Sequence, residues 1–339
     1  MAKIKVGLIG YGYWGPNIAR IINELDKVEL MYCADIVNTA LSQAKRKYPQ
    51  LKITNNYHEI LKDNKVSAVF IVTPIVTHYQ IARDCLRAKK HVFCEKPLTL
   101  TAKEARDLVQ LAKKNKVILA VGHVFLFNPV VRYIKKIIDD GTLGEIRYLH
   151  FQRRNLGIFL KDVNVMADLI PHDISMLLYF VKQKPISVMA IGESYLRNGV
   201  DDVVSATIKF EDHIMANMIL SWIDPVKIRD ITIVGNKKML LFDDTRPDNK
   251  IKIFDKNATI IKDTRGVTFG EYQIALHAGD VYVPAIGNKE PLKEEIKHFI
   301  ECIAKNKKPL NDGANGLEVV QLLERLQKSL VSHSMETIR

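Results

Sequence analysis

Up to about residue 121 the chain alternates short, mostly apolar runs with longer segments in which apolar side chains recur every three or four positions. Residues 5–9, 28–34, 68–72, 91–94 and 117–121 read as strands buried on both faces. The segment 101–115 has helical period: Ala105, Leu108, Val109, Leu111 and Ala112 form one stripe, with Lys, Glu and Arg opposite. Strand and helix in turn predict a parallel sheet covered on both sides, an α/β domain over residues 1–122. After His123 the pattern changes. A helix starting at Asn128-Pro129 leads to a strand over 145–154 and a helix over 165–181, and then strands follow with almost no helix: 186–195, 203–210, 214–221, 229–234, 239–242 and 251–254. In 203–210, Val203, Ser205, Thr207 and Lys209 alternate with Val204, Ala206, Ile208 and Phe210, the mark of a strand with one buried face. Residues 123–339 are therefore expected to form an α+β domain with an open, mainly antiparallel sheet, whose bare face a second subunit could cover. Helices over 292–304 and 317–330, split by the turn Asn311-Asp312-Gly313, close the chain.

The first strand runs into Gly10-Tyr11-Gly12-Tyr13-Trp14-Gly15, then a helical stretch, then a strand that ends at Asp35. That order is the Rossmann dinucleotide-binding fingerprint, not glycine spacing alone. Gly10 permits the turn, Gly12 lets the backbone approach a pyrophosphate, Gly15 lets the helix pack closely, and the anion meets the N–H groups that open the helix. The turn with Tyr13 and Trp14 borders the ligand. Asp35 stands where a carboxylate accepts from the adenosine ribose, and neither Ile36 nor Val37 supplies a cation for a 2'-phosphate, so the expected cofactor is NAD.

At 339 residues two domains are the expectation, and 47% hydrophobic residues suffice for ordinary cores. Cys33, Cys85, Cys94 and Cys302 are scattered, with no C-x-x-C pair and no His/Cys cluster, so neither disulfide nor metal site is expected. Cysteine usage suits a reducing compartment, and the cytoplasm is the expected location. The opening apolar run is broken by glycines and reads as a strand, not a signal peptide, and no stretch nears the ~20 residues that span a bilayer. The formal charge of +12 comes from dispersed lysines, such as Lys113-Lys114 and Lys135-Lys136, without aromatic interleaving. This excludes a nucleic-acid footprint as the leading reading and leaves a positive field suited to an anionic small substrate.

Two clusters carry candidate chemistry. Glu95-Lys96-Pro97 follows the strand 91–94, at the carboxyl end where open α/β sheets bind ligands; alone, Lys96 could be an exposed loop lysine. Asp168-Leu169-Ile170-Pro171-His172-Asp173 puts Asp168 and His172 on one helix face, where a carboxylate can orient an imidazole that acts as general base; a surface ion pair or a helix cap is the plainer alternative.

Together, the glycine turn, Thr73-Pro74, Glu95-Lys96-Pro97 and Asp168-x-x-x-His172 resemble the glucose-fructose oxidoreductase and inositol dehydrogenase family, Gfo/Idh/MocA, over nearly the whole chain. The resemblance implies that the first domain binds NAD(P) and that the second lines the substrate site and mediates a homodimer or homotetramer. It implies Lys96 and His172 as the catalytic pair, Asp168 holding the substrate or the imidazole, Thr73, Pro74 and His78 bordering the nicotinamide half, and Glu95 near its ribose. His78 could instead only cap its helix. Many members carry asparagine after the glycine of the sixth strand, where this chain has Gly122-His123. Gly144-Glu145-Ile146, Arg153-Arg154-Asn155-Leu156-Gly157, Asp162-Val163-Asn164-Val165 and the Asp168 to Asp173 segment look most like the branch that oxidises nucleotide-activated amino sugars. That implies UDP-N-acetylglucosamine or its uronate, oxidised at C3, with Asn164 and one of Arg153 and Arg154 on the substrate. Successive strand residues face opposite ways, so at most one arginine reaches a diphosphate, and both could be ordinary strand charges. An inositol or free-sugar dehydrogenase and a ketosugar reductase remain open, as does a non-catalytic NAD-sensing regulator, against which Lys96 argues.

Overall fold

The computed structural model describes residues 3–157, 159–160, 163–260 and 274–338; Asp162, in the motif above, lies outside them. The chain divides into two compact units, Met1–Asn128 with Lys289–Glu324, and Pro129–Asn288 with Arg325–Arg339.

In the first unit β1 (Ile4–Ile9), α1 (Gly15–Glu24), β2 (Val28–Ala34), α2 (Asn38–Lys47), β3 (Lys52–Thr54), α3 (His58–Lys62), β4 (Ala68–Ile71), α4 (Ile75–Arg87), β5 (His91–Cys94), α5 (Ala102–Asn115) and β6 (Leu119–Val121) alternate. The strands are all parallel, in the order β3-β2-β1-β4-β5-β6. The order reverses between β1 and β4, and that switch point opens a crevice at the strands' carboxyl ends. Each face has its own core. Ile81, Leu86 and Leu108 from α4 and α5 meet Ile71 and Val92 on one side, and Ile18 and Ile22 from α1 meet Phe70 and Phe93 on the other.

The second face also takes α8 (Pro291–Lys305), through Leu292, Ile296, Phe299 and Ile300, and this corrects the boundary expected at residue 123. Phe299 stands 5.5 and 5.7 Å from Phe70 and Phe93. Each such side chain contributes roughly 1.5–3 kcal/mol on burial, so the apolar stripe of α8 goes to the face with room for it, whatever its place in the chain. α9 (Gly313–Ser332) starts in the first unit and ends in the second.

The second unit holds α6 (Pro129–Asp139), β7 (Ile146–Leu156), α7 (Val165–Phe180), β8 (Pro185–Glu193), β9 (Val203–Phe210), β10 (Met215–Ser221), β11 (Ile223–Gly235), β12 (Met239–Asp243), β13 (Ile251–Ile260), β14 (Ile274–Tyr282) and β15 (Glu336–Thr337). The sheet runs β14-β13-β12-β11-β7-β10-β9-β8-β15, antiparallel except between β7 and β10. The expected alternation in β9 holds: Val204, Ala206, Ile208 and Phe210 are buried on the face that α7 covers, while Thr207 on the other face bonds Asn217 across the ladder. Among the described residues no helix is long and apolar enough to cross a membrane.

Candidate dinucleotide site and acid-base residues

Two of the three glycines after β1 are required by the protein's own packing. Gly10 has φ +96°, and a Cβ there would lie 2.6 Å from the Val72 carbonyl oxygen; a Cβ on Gly15 would lie 2.5 Å from the Gly10 oxygen. Gly12 differs, since nothing comes within 4 Å of its Cβ position. The turn therefore has open space at the point where backbone must meet an incoming ligand. α1 carries Pro16 as its second residue and has no acidic side chain in its first turn, so nothing there opposes an anion at the helix start. Asp35 accepts the Tyr11 N–H at 2.6 Å through Oδ2 and the Val37 N–H at 2.8 Å through Oδ1. A carboxylate has about four lone-pair positions, so capacity remains for ribose hydroxyls. Its neighbours Ile36 and Val37 are 89% and 50% exposed and apolar. These residues fit a dinucleotide.

The turn reaches towards the second cluster, because the Trp14 indole acts on the Glu95 carboxylate, which accepts the Lys96 N–H at 3.2 Å. A Cβ on Gly122 would lie 2.8 Å from Glu95 Oε2, so Gly122 lets this carboxylate sit over β6. Desolvation pushes Glu95 up to about 7, against the lowering effect of the Lys96 charge and of its hydrogen bonds. Behind it Glu295, fully buried on α8, accepts from Asn311 Nδ2 at 3.0 Å, and the same amide donates to the Val121 carbonyl. Burial first, and then the Glu95 charge, hold Glu295 well above the ordinary carboxylate range. His123 is fully buried as well. Its pKa falls to about 3, from desolvation and then from the Lys96 charge, so its imidazole is neutral at physiological pH.

The Lys96-Pro97 peptide is cis. His78, expected at the nicotinamide border, is 1% exposed; its Nδ1 lies 2.9 Å from the Pro97 carbonyl and its Nε2 2.8 Å from the Thr73 carbonyl. Both ring nitrogens are thus engaged by backbone, and His78 braces the Thr73-Pro74 and Lys96-Pro97 loops against each other instead of presenting a ring nitrogen to a ligand. Burial lowers its pKa. The first unit therefore gathers the glycine turn, Asp35, Thr73, Pro74, Glu95 and Lys96 along the carboxyl ends of β1, β2, β4 and β5.

In the second unit Asp168 and His172 lie one turn apart on the partly buried side of α7, as their spacing predicts. Pro171, inside the helix, leaves the Ala167 carbonyl without its usual donor four residues on. The Asp168 carboxylate accepts from the Trp222 indole at 3.4 Å. Three residues expected on the substrate have partners within the chain. Asn164 caps α7, accepting the Ala167 N–H at 2.9 Å and donating to Gln327, so its amide serves the helix. Arg153 points to the α7 side of the sheet, where it is 5% exposed and bonds Asp173 at 2.7 Å. Arg154 points the other way and bonds Asp224 at 3.4 Å. Trp222 was not singled out by sequence; that it is one of two tryptophans and directly follows β10 was the available signal.

Residues 4–123 match the family model described as "Oxidoreductase family, NAD-binding Rossmann fold", and residues 131–241 match the "GFO/IDH/MocA C-terminal domain". The chain belongs to the GFO/IDH/MocA oxidoreductase family. Its first unit is this family's NAD-binding domain. A UDP-N-acetylglucosamine 3-dehydrogenase of Acidithiobacillus ferrooxidans is 26% identical over 94% of the chain and 95% of its own length. A myo-inositol 2-dehydrogenase of Thermotoga maritima is 25% identical over 96% of each. GenD2 from gentamicin A biosynthesis, solved in complex with NAD, superposes with a TM-score of 0.83 over 100% of this chain and 97% of its own at 18% identity, a likeness of fold. For a GFO/IDH/MocA member, the cluster of Glu95, Lys96, Gly122, His123, Glu295 and Asn311 is the part that motif reading captured least. His123, Glu295 and Asn311 come from segments far apart in sequence, and only the packing of α8 brings them under one loop.

Proposed function

We propose that this GFO/IDH/MocA protein is an NAD-dependent dehydrogenase that oxidises a ring hydroxyl, at C3, of a nucleotide-activated amino sugar such as UDP-N-acetylglucosamine or its uronate. The carrying observation is Lys96: it lies just past the carboxyl end of β5, and its neighbour Glu95 feels Trp14 of the glycine turn. A non-catalytic NAD sensor has no use for a lysine at that point. The choice of NAD over NADP rests on Asp35, whose carboxylate repels a 2'-phosphate and whose neighbours Ile36 and Val37 carry no charge.

Bound nicotinamide would supply the hydride acceptor. The chain's part is to move a proton and to stabilise charge. The His172 imidazole accepts the proton of the substrate hydroxyl, and Lys96 stabilises the alkoxide that develops as that proton leaves. Asp168, held by the Trp222 indole, orients the hydroxyl or the imidazole. The nucleotide-sugar reading draws support from the Acidithiobacillus relative and from the chain's net charge of +12, and the Thermotoga relative supports myo-inositol almost as well. Incubation with NAD and UDP-N-acetylglucosamine, its uronate, free N-acetylglucosamine or myo-inositol, with NADH read at its absorbance and the product identified, separates them. Turnover of inositol alone would replace the nucleotide sugar in this proposal, and a ketosugar reduced in preference to any oxidation would reverse its direction.

We also propose that a second copy covers part of the open sheet. β8 leaves Met189 and Ile191 45% and 59% exposed, and β14 leaves Leu276 81% exposed. A dimer or tetramer by size-exclusion chromatography fits this, and a monomer at micromolar concentration does not. With four buried thiols the protein suits the cytoplasm.

A further inference from the structure

The loop between β8 and β9 is built around Asp202, which is fully buried. Its Oδ2 accepts the N–H groups of Tyr195 and Leu196 at 2.9 and 2.8 Å, its own N–H donates to Glu193, and its carbonyl accepts the Trp222 N–H at 3.0 Å. Stitched down in this way, the loop lays the Arg197 guanidinium over the Trp222 ring, 5.9 Å from the centroid. The same indole donates to Asp168 and meets the edge of Phe159 at 5.8 Å. Arg197 Nε and Nη2 are enclosed by protein, yet among the described residues no acceptor lies within reach of either. Arg153 and Arg154 have Asp173 and Asp224 as partners; among the described residues Arg197 has no carboxylate partner.

Enclosed guanidinium N–H groups without acceptors are costly, since the group has lost its water and gained nothing in return. A guanidinium held over an aromatic ring offers a planar fork whose paired donors suit two oxygens of one anion. Sequence reading passed over Arg197 because an arginine in a polar loop is ordinarily a solvated charge.

We propose that Arg197 is the anion-recognition residue of the substrate site, taking two oxygens of a phosphate or carboxylate carried by the sugar, with Trp222 as the shared platform that links it to Asp168. This rests on the dehydrogenase reading in naming a sugar as the carrier, and it deepens that reading by making the substrate anionic. The two sources of such an oxyanion are a nucleotide diphosphate and a uronate carboxylate.

The test uses the full chain loaded with NAD and titrates wild type, Arg197→Gln and Arg197→Lys with UDP, as the phosphate source, and with glucuronate, as the carboxylate source, by calorimetry; free N-acetylglucosamine is the neutral control. Wild type should bind one of the two anions, and Arg197→Gln should weaken that binding roughly 10- to 100-fold, the usual range for hydrogen bonds to charged groups. Arg197→Lys, with charge but no fork, should fall between the two, and the neutral sugar should bind all three alike. Binding of neither anion by wild type, or equal affinity in wild type and Arg197→Gln, overturns the proposal. So does a lowered Tm in Arg197→Gln with anion affinity unchanged, which would mean that Arg197 swings to Asp202 and acts as a structural ion pair. If the Gln variant does not fold, the Lys variant alone decides: unaltered affinity overturns the assignment. Failure of the dehydrogenase reading shows separately, as absence of NADH with every sugar.

Discussion

The pair Arg153 and Asp173 joins β7 to α7 directly beneath His172, and replacing Asp173 with Asn tests what it does. The two side chains are 6% and 2% exposed, and Nε lies 2.7 Å from Oδ1. Burial raises the Asp173 pKa, and Arg153 foremost, with Arg229 after it, opposes that rise. Removal of one charge leaves a guanidinium enclosed without its counter-ion, which costs about 3–5 kcal/mol. Replacing both charges by apolar groups, as in Arg153→Met with Asp173→Leu, removes the desolvation penalty as well and should recover most of that loss. Urea unfolding followed by circular dichroism gives the free energies, and for a unit of this size the single variant should melt on the order of 10 °C lower. The double variant should keep wild-type sugar affinity, because Arg153 serves the fold and not the substrate. A loss below about 1 kcal/mol in Asp173→Asn, or a double variant no more stable than the single, would refute the reasoning.

Three further outcomes follow from the first unit. Gly15→Ala should reduce NAD affinity at least ~10-fold by calorimetry, because the new Cβ meets a backbone oxygen at 2.5 Å that cannot move without reshaping the turn; unchanged affinity would mean that the turn takes no part in binding. Glu95 keeps its proton up to about pH 7 when folded but only to its ordinary 4.5 when unfolded, so the folded state binds more protons in that window and stability falls as pH rises through it. Partial solvent contact limits the fall to roughly 1–3 kcal/mol, and Glu95→Gln should flatten it; an identical pH profile in the variant would place the titration elsewhere. Asp35→Ser should raise the ratio of NADP to NAD efficiency at least ~10-fold by removing the charge that repels a 2'-phosphate, and an unaltered ratio would exclude Asp35 from cofactor choice.

What was legible in the sequence was local. The strand 91–94, the alternation over 203–210, the glycine spacing and the shared face of Asp168 and His172 all follow from backbone period, which the chain carries within a few residues. What was not legible depends on partners. The apolar stripe of α8 does not say which sheet it will cover, and β3 and β15, with three and two residues, are too short to show a period. Polar side chains misled in the same way: Arg153 is buried and paired, Asn164 caps a helix, and Arg197 is enclosed, although each is a residue type found mostly on the surface. His78 was legible as a residue near the Lys96 loop, but its two backbone contacts became visible only in three dimensions.

The most direct test of the central claim is turnover by Lys96→Ala and His172→Ala, with NAD affinity measured on the same preparations. The account predicts that each variant binds NAD as wild type does and loses at least ~100-fold in kcat for sugar oxidation, the usual size of acid-base contributions. Wild-type turnover in both variants would contradict it.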